Sequence, residues 1–204
     1  MIHPTITLIE QRTSVNHFDA EHRLSDTEIE QLVRLATRAP TAYNLQNWRF
    51  IAVRTPAAKA LLHDLAHGQA KVLEAAVTFI VCGQLPNHLD VPQRLLPFID
   101  AGYMSEAMAS AWKTGVRTQY ADPRIARDEA VRSATFGAAT LIFAAEAMGL
   151  ATGPMGGFDA DSVAGQFGLT SEEIPVMLVA VGRAAGTSWP QKPRRPLAEV
   201  LGVA

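Results

Sequence analysis

One stretch limits the possible folds more than any other. Between about residues 127 and 148, Val131, Ala134, Ala138, Leu141, Ile142, Ala145 and Met148 recur at helical spacing, and small residues occupy much of the remaining circumference. Spacings of three and four put the named side chains on one face of a helix, and Gly149 stands where a left-handed residue ends one. A helix with small residues on most of its other faces is packed on several sides, so it belongs inside a layered structure. Three apolar runs supply layers for it. Trp48-Arg49-Phe50-Ile51-Ala52-Val53, residues 76–82 and Pro175-Val176-Met177-Leu178-Val179-Ala180-Val181-Gly182 are short and rich in β-branched or aromatic residues, the pattern of strands.

The remaining elements are marked by their ends. Ser25-Asp26-Thr27-Glu28 is a capping box that opens a helix with the stripe Ile29, Leu32, Val33 and Ala36, and Pro40 closes it. Thr55-Pro56 starts a helix carrying Leu61, Leu62 and Leu65, and Asp159 caps a short one ending near Gly168. Residues 84–104, with Pro86, Pro92, Pro97, Phe98 and Tyr103, are expected to form an irregular excursion leading into a helix at about 103–118, with 84–120 shaping a substrate pocket. After Gly182, Pro190, Pro193 and Pro196 predict an extended arm, 183–204, that needs another surface to lie on. Strands separated by helices of very different length indicate an α+β or mixed α/β layered domain instead of regular doubly wound units. With no internal repeat and no linker, the expectation is a single domain over 1–204.

Charge and cysteine content narrow the chemistry. A formal net charge of -2 gives no general attraction to nucleic acid or to an anionic membrane, so any anion has to be met locally. No apolar run reaches the ~18–20 residues of a membrane span, and the N-terminus lacks a basic and then apolar leader pattern, so a cytoplasmic location is expected. Cys82, the single cysteine, sits inside an apolar run as a core thiol; redox chemistry would have to come from a cofactor.

Four polar segments carry the functional reading. Arg12-Thr13-Ser14-Val15-Asn16 follows a short apolar helix; Pro40-Thr41-Ala42-Tyr43-Asn44-Leu45-Gln46-Asn47-Trp48 follows a helix stop; Gly153-Pro154-Met155-Gly156-Gly157-Phe158-Asp159 follows the long helix; Lys192-Pro193-Arg194-Arg195-Pro196 lies in the arm. Taken singly, each has an ordinary explanation: a polar helix exit, turn chemistry, a tight crossover, a solvated tail. The glycine cluster is no dinucleotide fingerprint, since G-x-G-x-x-G is absent. His63-Asp64-Leu65-Ala66-His67 has two histidines at helical spacing, but Asp stands where a metalloprotease motif has Glu and no third ligand is evident, so no metal site is expected.

Together and in this order, the four segments resemble those of the nitroreductase family of FMN enzymes, and the resemblance spans nearly the whole chain. It implies a mixed, mostly antiparallel sheet sandwiched by helices, in an intertwined homodimer whose C-terminal arm reaches across to the partner. By the same resemblance, Arg12, Thr13, Ser14 and Asn16 hold the flavin phosphate and ring edge. Thr41, Ala42, Asn44 and Gln46 act on the partner subunit's cofactor, although Ala42 lacks the hydroxyl many relatives offer, and Asn47 replaces a usual proline. The segment Pro154, Met155, Gly156 and Gly157 meets the flavin, with the main-chain N–H of Gly156 or Gly157 donating to N5, and Lys192 with Arg194 or Arg195 clamps the phosphate. No side chain is implied as a catalytic acid. The implied activity is ping-pong transfer of hydride from NADPH or NADH through FMN to a nitroaromatic, quinone or similar electrophile. Dehalogenation, aldehyde or enone reduction and flavin cleavage on the same fold are the alternatives, as is a flavin-binding module without turnover.

Overall fold

The computed structural model describes residues 3–187 and 189–203. Met1, Ile2, Ser188 and Ala204, which fall within the expected domain and arm, lie outside the described residues. The apolar runs form strands β1 (Trp48–Val53), β2 (Val77–Gln84) and β4 (Glu173–Gly182), joined by β3 (Ala151–Met155) in the order β1-β2-β4-β3. All three pairings are antiparallel, with Trp48 opposite Gly83, Val77 opposite Val181 and Met155 opposite Leu178. A parallel bridge joins Ser14 to Thr152 on the outer side of β3.

Both faces of the sheet are covered, which is why its two central strands read as unbroken apolar runs. On one face Val77, Phe79, Val81, Val179 and Val181 pack against α2 (Asp26–Ala36) and α7 (Pro123–Ala147) through Leu32, Ala36, Ala134, Ala138 and Leu141. On the other face Ile80, Cys82, Leu178 and Ala180 meet α3 (Pro56–Leu65), α4 (Lys71–Glu74) and α8 (Ala160–Gln166) through Leu62, Val72 and Val163. The period of two along each strand thus sorts its side chains into two cores, and each fully buried Leu or Val contributes roughly 1.5–3 kcal/mol. The small residues of α7 serve close approach: a Cβ at Gly83 of β2 would lie 2.4 Å from the Ala130 carbonyl oxygen. The capping box of α2 is formed, with Ser25 and Glu28 each accepting from the other's backbone N–H.

Three local expectations are corrected. First, α7 begins at Pro123 behind an Asp122 cap, a turn earlier than the apolar period shows, because Arg124, Arg127 and Asp128 carry its exposed start. Second, the excursion is not irregular throughout but holds a helix, α5 (Val91–Asp100), which shares a third core with the expected helix, α6 (Glu106–Gln119), and with Leu45, Tyr120 and Ala126. Pro92 occupies the first turn of α5, where no N–H is missed, and only Pro97 lies inside it. Third, Gly153-Pro154-Met155 is not a crossover but most of β3; Pro154 is tolerated because β3 is an edge strand. Among its described residues the arm carries a single helical turn, α9 (Leu197–Val200).

At the start of β4, Glu173 is buried and accepts from Arg49 Nη1 at 2.9 Å and from the Thr170 N–H at 3.0 Å. Burial alone would raise its pKa, but these donors outweigh it and the pKa is lowered. A lowered folded pKa stabilises the protein above the unfolded value near 4.5 and the benefit is lost as pH falls through the folded value. Glu173→Gln is therefore expected to cost about 1–2 kcal/mol at pH 7. Urea denaturation over a pH series from 7 downward checks this: the gap between wild type and variant should narrow as pH falls through the folded pKa of Glu173 and its carboxylate takes up a proton.

Candidate functional site

The two chain ends meet at the edge of β3. Segment 12–18 leaves α1 (Pro4–Gln11) and runs along that edge, held by Val15 N–H donating to the Thr152 carbonyl at 2.9 Å and Phe18 N–H donating to Glu74 Oε2 at 3.0 Å. The arm returns beside it: Gln191 Nε2 donates to the Arg12 carbonyl at 3.2 Å, and Arg194 Nη2 donates to Gln191 Oε1 at 2.9 Å. Between them lies a cavity of about 110 Å³ lined by Arg12, Thr13, Ser14, Trp189, Pro190, Gln191, Lys192 and Arg194. Three cationic side chains and no carboxylate line it, and the Arg12 guanidinium reaches Ser14 Oγ at 3.4 Å. Such a set suits a phosphate group. Of the two arginines left open, Arg194 lines the cavity while Arg195 is turned to Glu199 at 3.0 Å.

Sequence reasoning missed Lys71. Its stem runs past β3, with Cδ 3.2 Å from where a Cβ on Gly153 would stand. Burial, and then the neighbouring Lys192 charge, lower its pKa, which places this half-buried lysine within electrostatic reach of a cation that lines the cavity. It lies in the four-residue helix α4, too short to show a period in the sequence.

Beyond β3 the chain turns outward at Gly156 and Gly157, both exposed. The turn is pinned from behind by Gln69 Nε2, which donates to the Gly157 carbonyl at 2.8 Å, and by Asp159 N–H, which donates to the Leu65 carbonyl at 2.9 Å. Neither glycine has a positive φ, and a Cβ at Gly156 would meet nothing within 4 Å. Local geometry therefore does not require glycine at 156, and the segment can offer its main-chain N–H groups to a ligand. Met155 is buried among Ile80, Leu178 and Val163, and Pro154 is half-buried in the strand, so these two contribute backbone and not side chain to the site.

The remaining candidates lie elsewhere. Thr41 Oγ1 accepts from the Gln46 N–H at 3.0 Å, closing a loop in which Asn44 and Gln46 are exposed. Thr41 and Ala42 line a second cavity of about 330 Å³ with Tyr120, Glu129, Arg132 and Ser133. No residue of 41–46 lines the Arg12–Arg194 cavity, and neither does the exposed Asn16. The structure thus separates the sequence candidates within one chain into a group around β3 and a group on the 41–46 loop. Asn47 is buried and donates to the Gln84 carbonyl at 2.8 Å, a bond that ties the loop to the end of β2.

Other reactive groups stand aside. Burial pushes the Cys82 thiol up to about 12, which leaves no thiolate at neutral pH. His63 pairs with Asp64 at 3.0 Å, and among the described residues no three His, Cys, Asp or Glu side chains converge as a metal site.

The Nitroreductase family model matches residues 9–183. A Bacillus subtilis protein named "Putative NAD(P)H nitroreductase YodC" is 30% identical over 196 residues, covering 96% of each chain. Protein DrgA of Synechocystis is 33% identical over 205 residues, covering 97% of this chain and 94% of that one. Among solved structures, a protein of Exiguobacterium sibiricum in complex with FMN superposes with a TM-score of 0.90 over 100% of this chain and 99% of its own, at 24% identity. The chain belongs to the nitroreductase family.

Proposed function

We propose that the protein is an FMN-dependent oxidoreductase that takes hydride from NADPH or NADH and delivers it to a nitroaromatic, a quinone or a comparable electrophile, with both substrates using one pocket in turn. The observation that carries this reading is the Arg12–Ser14–Lys192–Arg194 cavity, which residues 180 positions apart build as a site of three cations without a carboxylate. The fit to FMN is chemical: a single phosphate needs about two cationic partners, and the exposed main chain at Gly156 and Gly157 lies beyond the same strand edge. Arg12, Lys192 and Arg194 bind the phosphate. Ser14 and Thr13 meet its neighbourhood, Lys71 places positive charge by the ring, and Gly156 or Gly157 donates a main-chain N–H to flavin N5. When bound, FMN supplies the two-electron chemistry.

The protein works as a homodimer in this reading. In one chain, the exposed Ile9 and Phe143 line a groove of about 410 Å³ between α1, α2 and α7, Ile6 of α1 and Phe136 of α7 are also exposed, and the arm exposes Leu197, Val200 and Leu201. A second copy covers such surfaces, and it brings Thr41, Ala42, Asn44 and Gln46 of one chain to the cofactor held by the other.

Two measurements test the activity. The purified or reconstituted protein should release FMN, not FAD, on denaturation, and NADPH or NADH should bleach the bound flavin without oxygen, with an acceptor restoring its colour. Protein that takes up no flavin contradicts the cofactor. Bound flavin that neither nicotinamide bleaches would make the chain a flavin-binding module without turnover.

A further inference from the structure

The loop between Pro40 and Trp48 uses alternate side chains for two purposes. Tyr43 and Leu45 turn inward, Leu45 into the core shared with Val91, Leu95 and Val116, while Asn44 and Gln46 are exposed. The alternation takes left-handed backbone at three residues: φ is 53° at Tyr43, 52° at Asn44 and 47° at Gln46. Asparagine enters this region readily, but for a bulky aromatic residue it is an outlier, and such a conformation persists only where its surroundings over-determine it.

Those surroundings are visible. The Tyr43 ring stands edge-on to Trp112 at 5.7 Å and 80°, and to Tyr120 at 6.4 Å and 87°. Its hydroxyl donates to Gln119 Oε1 at 2.8 Å. Beneath the ring is Gly115, where a Cβ would lie 3.2 Å from Tyr43 Oη and 3.4 Å from Cε1. Glycine disfavours a helix interior, and Gly115 stands inside α6 without a positive φ that would call for it. Room for Tyr43 is the reason the structure offers.

We propose that Tyr43 is the positioning residue of the flavin loop: seated on Trp112, Gly115 and Gln119 of α6, it holds Asn44 and Gln46 in the one presentation that meets the cofactor. This rests on the FMN reading above. It also gives the excursion helices a role in cofactor geometry, because α6 forms the seat.

The test combines hydrogen–deuterium exchange over residues 41–47 of the flavin-free protein with FMN titration of the wild type, Tyr43→Phe, Tyr43→Ala and Gly115→Ala. Tyr43→Ala should exchange at least tenfold faster in this segment and bind FMN at least tenfold more weakly, whereas Tyr43→Phe, which keeps the ring, should stay within about threefold. Gly115→Ala should weaken FMN several-fold although its melting temperature holds or rises, since alanine favours the helix. A merely structural role would not move affinity and stability in opposite senses. Exchange and affinity of Tyr43→Ala within twofold of wild type, or undiminished affinity in Gly115→Ala, overturns the inference alone. A wild-type chain that takes up no FMN overturns the flavin reading and this inference with it.

Discussion

Replacing Gly156 by proline is expected to slow reduction of the bound flavin by NAD(P)H by ~10²–10³, the usual loss when a preorganised main-chain donor is removed from a site of developing charge. Proline deletes the N–H and fixes φ without adding charge. Gly156→Glu is the control. The Cβ position at Gly156 has no neighbour within 4 Å and its φ is not left-handed, so a side chain is tolerated and the N–H remains. Gly157→Pro tests the adjacent donor, whose carbonyl Gln69 already holds in place. Stopped-flow reduction with flavin content measured in parallel separates chemistry from binding. Two proline variants that bind FMN and are reduced at the wild-type rate would remove this turn from the site.

The second large effect concerns the phosphate cavity. Arg12→Ala and Arg194→Ala should each weaken FMN binding roughly tenfold to a hundredfold, because each deletes a charge-assisted hydrogen bond to a partly desolvated anion. Their effects should not simply add, since Gln191 bridges the Arg12 carbonyl and the Arg194 guanidinium and loses its register when either changes. Arg195→Ala is the discriminating variant. Paired with Glu199 and turned from the cavity, Arg195 should be removable with little change in affinity. Equal losses at Arg194 and Arg195 would mean that general basicity of the arm, and not this cavity, attracts the ligand.

Much of this architecture is legible in the amino-acid order because its signals are local. The strand of Trp48–Val53 is read at its observed limits, since helix-stopping and turn residues flank six residues of strand type. The Ser25–Glu28 capping box is equally direct. The strand of Ala151–Met155 is not legible, because a Gly-Pro pair inside five residues argues against a strand; what admits it is an edge position, a property of the assembled sheet. The helix expected at about 103–118 is found as α6, but the excursion hides α5 for a related reason, as its prolines mask an apolar period that only the core around Val91 and Leu95 reveals.

The candidate site divides in the same way. Arg12, Ser14, Lys192 and Arg194 are readable as residue types suited to an anion, but their convergence is not, because no sequence pattern reports that Gln191 ties the two ends together. Lys71 and Tyr43 carry no signal of their own. One sits in a single helical turn, and the other is distinguished only by a backbone angle and by the glycine beneath it.

The central claim, that the cavity joining the two ends of the chain holds the FMN phosphate, is tested most directly by titrating flavin-free protein with FMN and with riboflavin, which share every atom but the phosphate. FMN should bind tighter by roughly a hundredfold or more, and in Arg12→Ala and Arg194→Ala that advantage should shrink while riboflavin affinity stays near the wild-type value. Riboflavin binding as tightly as FMN to the wild-type protein would contradict the account.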